Sequence, residues 1–260
     1  MFSFLKRKKK TPFANESEKL ETTDYVDVAK IAEYFKNETG VTFDNQINIL
    51  QNKVMTFCKL RKIDSFETLL NLVHSNAEAK QELIDYLTTN ETFFYREFKQ
   101  VEELVELVKK SHENVNILCA PCSTGEEPYG IAIALLEAGV SSAKFSILGI
   151  DINADALKKS REATYKQRNV RNLSPKTIKE YFHHENDSYA LKNSVKSLVT
   201  FRLANIFDDS FVNIGKFDFI FCRNMLIYFD KETKLKAKSI LEGMRKKDGQ
   251  DIFFGHADLF

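Results

Sequence analysis

The chain has 260 residues, with 38 Lys plus Arg against 37 Asp plus Glu, for a formal net charge of +1. Five of the basic residues stand together at Lys6, Arg7, Lys8, Lys9 and Lys10, so the rest of the chain carries 33 positive and 37 negative charges. That balance excludes a general nucleic-acid binder, which needs a basic face or stripe, and the 43% hydrophobic, 29% charged composition with nine Gly and four Pro excludes a fibrous or disordered chain.

Residues 1–22 read as a basic flexible tail followed by a Thr, Asn, Ser and Glu-rich stretch. The apolar Phe2, Phe4 and Leu5 precede the basic run, the reverse of a signal peptide. No run approaches the ~18 apolar residues of a membrane span. The expectation is a cytoplasmic protein whose residues 1–10 are a candidate contact for an anionic surface such as lipid headgroups. A solvated tail is the competing reading.

From 23 to 88 the apolar period is helical. Val28, Ile31, Ala32 and Phe35 form one stripe, which Gly40 stops as a helix C-terminal glycine does. Ile47, Leu50, Val54 and Phe57 form a second. Asp64 with Glu67 reads as a capping box ahead of Phe66, Leu69, Leu70 and Val73. Leu83, Ile84 and Leu87 close a fourth helix. The second helix carries Lys53, Lys59, Arg61 and Lys62, which serve either as a solvated face or as a docking surface for an acidic partner.

From 115 onward strands alternate with helices. Strands are expected at Val115 to Ala120, Phe145 to Ile150, Leu198 to Leu203, Phe217 to Cys222 and Ile252 to Phe254. Helices are expected through Leu136, over Ala154 to Ala163 and over 231–247. This alternation predicts an α/β, doubly wound parallel sheet with its ligand at the carboxyl ends of the strands. Residues 165–197 are polar, break the rhythm and read as an inserted subdomain.

Four cysteines occur, at 58, 119, 122 and 222. Cys119 and Cys122 form a C-x-x-C without the second pair or the nearby His that a zinc site needs. A redox pair at a helix start and two small buried residues at a strand end are the remaining readings.

The polar residues at the strand ends suggest the chemistry. Gly125 follows the first strand, where backbone comes close to a ligand. Asp151 ends the second, where a carboxylate accepts hydrogen bonds from ribose hydroxyls. Glu126 and Glu127 stand in the first loop with no Lys or Arg between them, which disfavours a pyrophosphate ligand. An acidic loop with a ribose-binding carboxylate fits S-adenosylmethionine, whose sulfonium and amine are cationic. Thr124-x-x-Glu127 also has capping-box spacing, which would leave Glu127 only a helix start to close.

Four segments resemble one family. Thr88-Thr89-Asn90-Glu91-Thr92-Phe93-Phe94-Tyr95-Arg96-Glu97 is similar to the linker motif of the CheR family, the S-adenosylmethionine-dependent methyltransferases acting on chemotaxis receptor glutamates. Ser123-Thr124-Gly125-Glu126-Glu127-Pro128-Tyr129 resembles its first-strand loop, and the run Phe217 to Phe229, with Cys222-Arg223-Asn224 at its centre, resembles its fourth-strand motif. Gly255-His256 with the following Ala-Asp-Leu-Phe is similar to a late family motif. The resemblance implies an all-α N-terminal domain, a linker over 89–97 and a Rossmann-like class I methyltransferase domain over 98–260, with a small β-subdomain inserted near 165–197. It implies that Asn90, Thr92 and Arg96 meet the cofactor from the linker, and that Glu127, Asp151, Asn205, Ile206, Arg223 and Asn224 meet it from the Rossmann-like domain. Arg96 and Tyr228 are implied nearest the transferred methyl, and no metal is implied.

Two departures go with the resemblance. The second helix is richer in Lys than in the Arg usual for the family, and Lys lacks Arg's bidentate fork. The chain also stops about where the family adds a last pair of strands, which would leave a sheet edge uncovered. A non-catalytic S-adenosylmethionine sensor, and a related methyltransferase acting on another carboxylate, also fit these residues.

Overall fold

The computed structural model describes residues 24–44 and 46–258. The basic tail and its candidate lipid contact lie outside the described residues. Four helices come first: α1 (Val28–Thr39), α2 (Ile47–Arg61), α3 (Phe66–Ser75) and α4 (Ala77–Leu87). The apolar stripes bury Ile31, Phe35, Leu50, Val54, Phe57, Leu69, Val73, Leu83 and Leu87 in one core. Ile47 is the exception, because it begins α2 on the exposed side. Gly40 ends α1 in the left-handed conformation at φ 77° and returns its N–H to the Lys36 carbonyl. The expected capping box at 64–67 is not what starts α3. Ser65 is the N-cap and accepts from the Thr68 N–H at 3.0 Å, while Asp64 takes the Thr68 hydroxyl.

The second half runs α5 (Lys99–Lys110), β1 (Val115–Cys119), α6 (Glu126–Glu137), β2 (Phe145–Asp151) and α7 (Ala154–Glu162). Next come β3 (Thr164–Tyr165), α8 (Gln167–Val170), α9 (Pro175–Tyr181), β4 (Phe182–Glu185), β5 (Ser188–Leu191) and α10 (Asn193–Lys196). The chain then completes the sheet with β6 (Val199–Leu203), β7 (Phe219–Cys222), α11 (Lys231–Gly243) and β8 (Phe253–Phe254). The five expected strands are present with ends shifted by one or two residues, and the last helix stops at Gly243 short of 247.

The large sheet is parallel throughout, in the order β6-β2-β1-β7-β8. Its register sets Ile117 beside both Ile147 and Phe219. The two-residue period sends Ile117 and Cys119 into the core on one face, and Leu118 and Ala120 into the core on the other. The chain moves outward from β1 to β2 and β6, then returns to β7 on the opposite side of β1. That reversal is the switch point at which such sheets open a crevice. The segment 164–196 is a separate antiparallel sheet in the order β3-β5-β4 with short helices around it, in agreement with an inserted β-subdomain.

The helical domain is tied down over the carboxyl ends of the strands by polar contacts. Asn153 Nδ2 donates to the Asp85 carbonyl at 3.0 Å and to the Thr88 hydroxyl at 2.7 Å. Asp85 accepts the Ala154 N–H, and Gln81 donates to the Ile152 carbonyl. On the other side Asn205 donates to the Glu38 carbonyl at 2.6 Å, and Lys36 pairs with Asp230 at 2.6 Å. Among the described residues no helix is long and apolar enough to cross a membrane.

Candidate active site

A cavity of about 520 Å³ lies at the carboxyl ends of the parallel strands, under the helical domain. It is of the size that holds a nucleoside-bearing ligand. Asn90, Thr92, Arg96, Glu127, Asp151, Asn205, Ile206, Arg223, Asn224 and Tyr228 all border it. Five stretches of sequence far apart in the chain are thus brought to one place.

The floor is made where strands end. Cys119 closes β1, and the chain turns through Ala120, Pro121 and Cys122 to Ser123 before entering α6. All four cysteines are free and buried, and burial pushes the Cys119, Cys122 and Cys222 thiols well up. Cys119 ends β1 and Cys122 lies in the turn that follows, both buried, as two small residues at a strand end are. Gly125 is the N-cap of α6 at φ 93°. A Cβ there would stand 3.0 Å from Ser160 and 3.1 Å from Tyr129, so packing and the left-handed turn require this glycine. The close approach expected of it is to protein side chains.

The two loop carboxylates face different ways. Glu126 is fully buried and turned to the subdomain, where it accepts from the Thr124 hydroxyl at 2.6 Å and from Asn169 at 2.8 Å. Glu127 borders the cavity. Its Oε2 meets the Arg223 guanidinium at 3.0 Å, so it does not serve the expected capping box. Burial raises the Glu127 carboxyl and Arg223 opposes that rise. Its other oxygen, Oε1, is buried and no nitrogen or oxygen donor among the described residues reaches it; the Cys119 thiol, a weak donor, neighbours this carboxylate, and Ser123 Oγ has no partner among the described residues. An unpaired buried acceptor is costly, and a cationic donor from a ligand would satisfy it.

Asp151 ends β2 and is also buried. Its Oδ2 accepts the Ser123 N–H at 2.8 Å and its Oδ1 the Asn153 N–H at 2.9 Å. These bonds fix the carboxylate and leave each oxygen further acceptor capacity. Burial pushes the Asp151 carboxyl up to about 6 against those backbone donors. Asn205 borders the cavity with its amide already committed to Glu38 and to the Phe207 N–H, so it joins the two domains there. Ile206 adds a buried apolar wall.

Arg223 is the pillar under the linker. Its side chain is 3% exposed. It pairs with Glu127, lies 3.7 Å from Glu97 and donates to the Arg96 carbonyl. Arg96 is flanked by Tyr95 and Glu97, both left-handed, at φ 57° and 50°. Such residues persist only where the surroundings over-determine them. Here the Tyr95 ring packs on Phe98 with centroids 3.9 Å apart, and Glu97 accepts the His256 N–H. The Arg96 side chain is left over the cavity, with one bond from Nη1 to the Glu91 carbonyl at 3.2 Å. Tyr228 faces the same space. Burial raises its phenol and the Arg96 charge opposes that rise, so the two side chains share one electrostatic environment.

Sequence reasoning missed Asp258. It is 1% exposed and accepts the N–H groups of Asn224, Ile227 and Gly255, which fixes the loop that carries Asn224 and Tyr228. Gly255 is required beside it: a Cβ there would stand 2.8 Å from Asp258 Oδ2 and 2.9 Å from the Asn224 nitrogen. The glycine of the Gly255-His256 pair was the available signal.

Comparison with known proteins agrees with this geometry. A family model described as CheR methyltransferase, SAM binding domain, matches residues 90–260. A chemotaxis protein methyltransferase of Campylobacter jejuni (strain 81-176) is 34% identical over 93% of this chain and 92% of its own. Chemotaxis protein methyltransferase 2 of Vibrio cholerae is 33% identical over 89% and 85%. The chemotaxis protein methyltransferase of Escherichia coli K12 is 28% identical over 89% and 83%.

Proposed function

From the premise that this chain belongs to the CheR methyltransferase family, we propose that it esterifies glutamate side chains in the cytoplasmic domains of chemotaxis receptors. The methyl donor is S-adenosylmethionine, and a glutamyl methyl ester and S-adenosylhomocysteine are the products. The observation that carries this reading is the buried Glu127 oxygen that no nitrogen or oxygen donor among the described residues reaches, at the floor of a cavity rimmed by Arg96 and Tyr228.

Most wall residues have a role in this reading. Glu127 and the Ser123 hydroxyl receive the cationic amino-acid end of the cofactor. Asp151 accepts the ribose hydroxyls, and Ile206 with its apolar neighbours packs on the base. Asn90, Thr92 and Asn224 close over the nucleoside. Arg223 holds Glu127, Glu97 and the Arg96 carbonyl in register and touches the ligand through them. When bound, the cofactor supplies an electrophilic methyl carbon on a sulfonium.

The chain's own contribution is orientation. A glutamate carboxylate is ionised near pH 7, so no general base is needed. Arg96 and Tyr228 hold the attacking oxygen, or the cofactor beside it, by hydrogen bonds, and neither moves a proton. Holding the reacting atoms in line near contact distance is worth several kcal/mol of barrier. The helical domain covers the site and excludes water, which otherwise stabilises both charged reactants.

The receptor side is proposed to dock on α2. Lys53 borders the cavity, and Lys59 and Lys62 are exposed. Arg61 is engaged, paired with Glu82 at 2.6 Å and stacked over Phe57 at 3.9 Å. The test is incubation of labelled S-adenosylmethionine with receptor-bearing membranes, followed by alkaline treatment. Base-labile methanol release supports the reading. Base-stable label, or no transfer although the cofactor binds, overturns it.

A further inference from the structure

The inserted subdomain grips the cofactor linker residue by residue. Asn169 lies in α8, and its backbone carbonyl accepts the Phe94 N–H at 2.9 Å. Its Nδ2 donates both to the Thr92 carbonyl at 3.3 Å and to Glu126 Oε1 at 2.8 Å. Its Oδ1 accepts the Lys166 N–H at 3.2 Å. The Arg171 guanidinium sits 3.6 Å from the Phe93 ring centroid, and Asn172 donates to the Tyr95 carbonyl at 3.5 Å. Four consecutive linker residues, Thr92 to Tyr95, are therefore each held by the segment 169–172. Glu126 is anchored in the first turn of α6, so the Asn169 amide joins three parts of the molecule.

We propose that Asn169 is a positioning residue for cofactor binding: its amide fastens the Thr92 carbonyl to the buried Glu126, so that the inserted subdomain sets the conformation in which the linker presents Thr92 and Arg96. The inference rests on the reading above that Thr92 and Arg96 face the cofactor. It also gives the subdomain a role in the cofactor site that needs no receptor. An amide is the group that fits, because one nitrogen must supply two acceptors while the oxygen takes an N–H. Aspartate has the same shape and no donor. At position 169 it would set a second carboxylate against Glu126, and only a shared proton would restore the bridge. The other ionisable groups around Glu126 are Arg168, Tyr165 and Cys122. Burial holds Tyr165 and Cys122 well above their ordinary values, so neither titrates between pH 6 and 8.

The experiment compares Asn169→Asp and Asn169→Ala with the parent protein. One arm is calorimetric binding of S-adenosylhomocysteine at pH 8 and pH 6. Both variants are expected to bind at least tenfold more weakly at pH 8. At pH 6 Asn169→Asp is expected to recover most of that loss and Asn169→Ala none, a pattern that general loosening of the fold would not give. A second arm needs no nucleoside: hydrogen exchange of the Phe94 amide, expected to be at least tenfold faster in Asn169→Ala. Parent-like affinity at pH 8 together with parent-like exchange at Phe94 overturns the proposal. If the parent itself does not bind the nucleoside, the cofactor reading fails, and the exchange arm alone decides whether Asn169 positions the linker. If Asn169→Asp does not fold, Asn169→Ala decides by the same two criteria.

Discussion

The floor and the roof of the cavity are built differently. The floor is strand ends and the start of α6: Asp151 and Arg223 are buried, the Glu127 side chain is 14% exposed, and backbone N–H groups or an ion pair fix each of them. The roof is the linker and the helical domain, where Asn90, Arg96 and Lys53 are half-buried. At the rim Ile49 and Ile227 are 53% and 43% exposed. A rigid, desolvated floor suits one small ligand of fixed shape and charge. A half-open roof with apolar rim residues and a cation suits a side chain arriving on a larger partner.

The comparison breaks most visibly at Arg223. Arg223→Met removes the cation from Glu97 and Glu127, whose side chains are 13% and 14% exposed, and the about 3–5 kcal/mol for breaking a fully buried pair is the upper bound of the loss. Urea unfolding should show that loss, and calorimetry should show no nucleoside binding. A variant as stable as the parent would mean that the floor does not depend on this cation. Asp151→Ala should lower cofactor affinity at least tenfold, or ~1.4 kcal/mol. The parent should also bind more weakly as pH falls. Ribose hydroxyls favour the ionised carboxylate, and the unliganded carboxyl lies at about 6, so affinity should hold above pH 6 and decline below it. Affinity that rises toward pH 5 would remove Asp151 from the nucleoside site.

Roof substitutions should act on turnover and leave the floor intact. Tyr228→Phe removes one hydrogen bond worth about 1 kcal/mol. It should reduce kcat several-fold at unchanged nucleoside affinity; equal loss in both would place Tyr228 on the floor. Smallest should be Lys53→Ala, since exposed charge pairs contribute ~0.2–1 kcal/mol. It should raise KM for receptor a few-fold at low salt and have little effect at high salt, where screening already weakens the contact. A salt-independent change in KM would argue for packing and against charge.

The same contrast separates what was legible in the sequence from what was not. Helices and strands were readable because burial imposes period: Ile31 with Phe35, or Ile117 with Cys119, face one core by spacing alone. Asp151 was readable as a strand-end carboxylate. Its accepting from Ser123 and Asn153 was not, because those donors are backbone groups whose direction only the fold sets. Glu127 carried two readings with equal claim on its spacing, and the choice fell to Arg223, 96 positions later. The left-handed Tyr95 and Glu97 left no trace in residue type, since neither is a residue that favours positive φ. Asn169 and Asp258 act on main-chain partners far along the chain, so spacing could not mark them.

The most direct test is a crystal structure of the protein with S-adenosylhomocysteine. The account predicts ribose hydroxyls on Asp151, the amine on the free Glu127 oxygen, and the nucleoside covered by the Thr92–Arg96 linker. A ligand bound outside this crevice, or Glu127 Oε1 satisfied by a protein donor with the nucleoside absent, would contradict it.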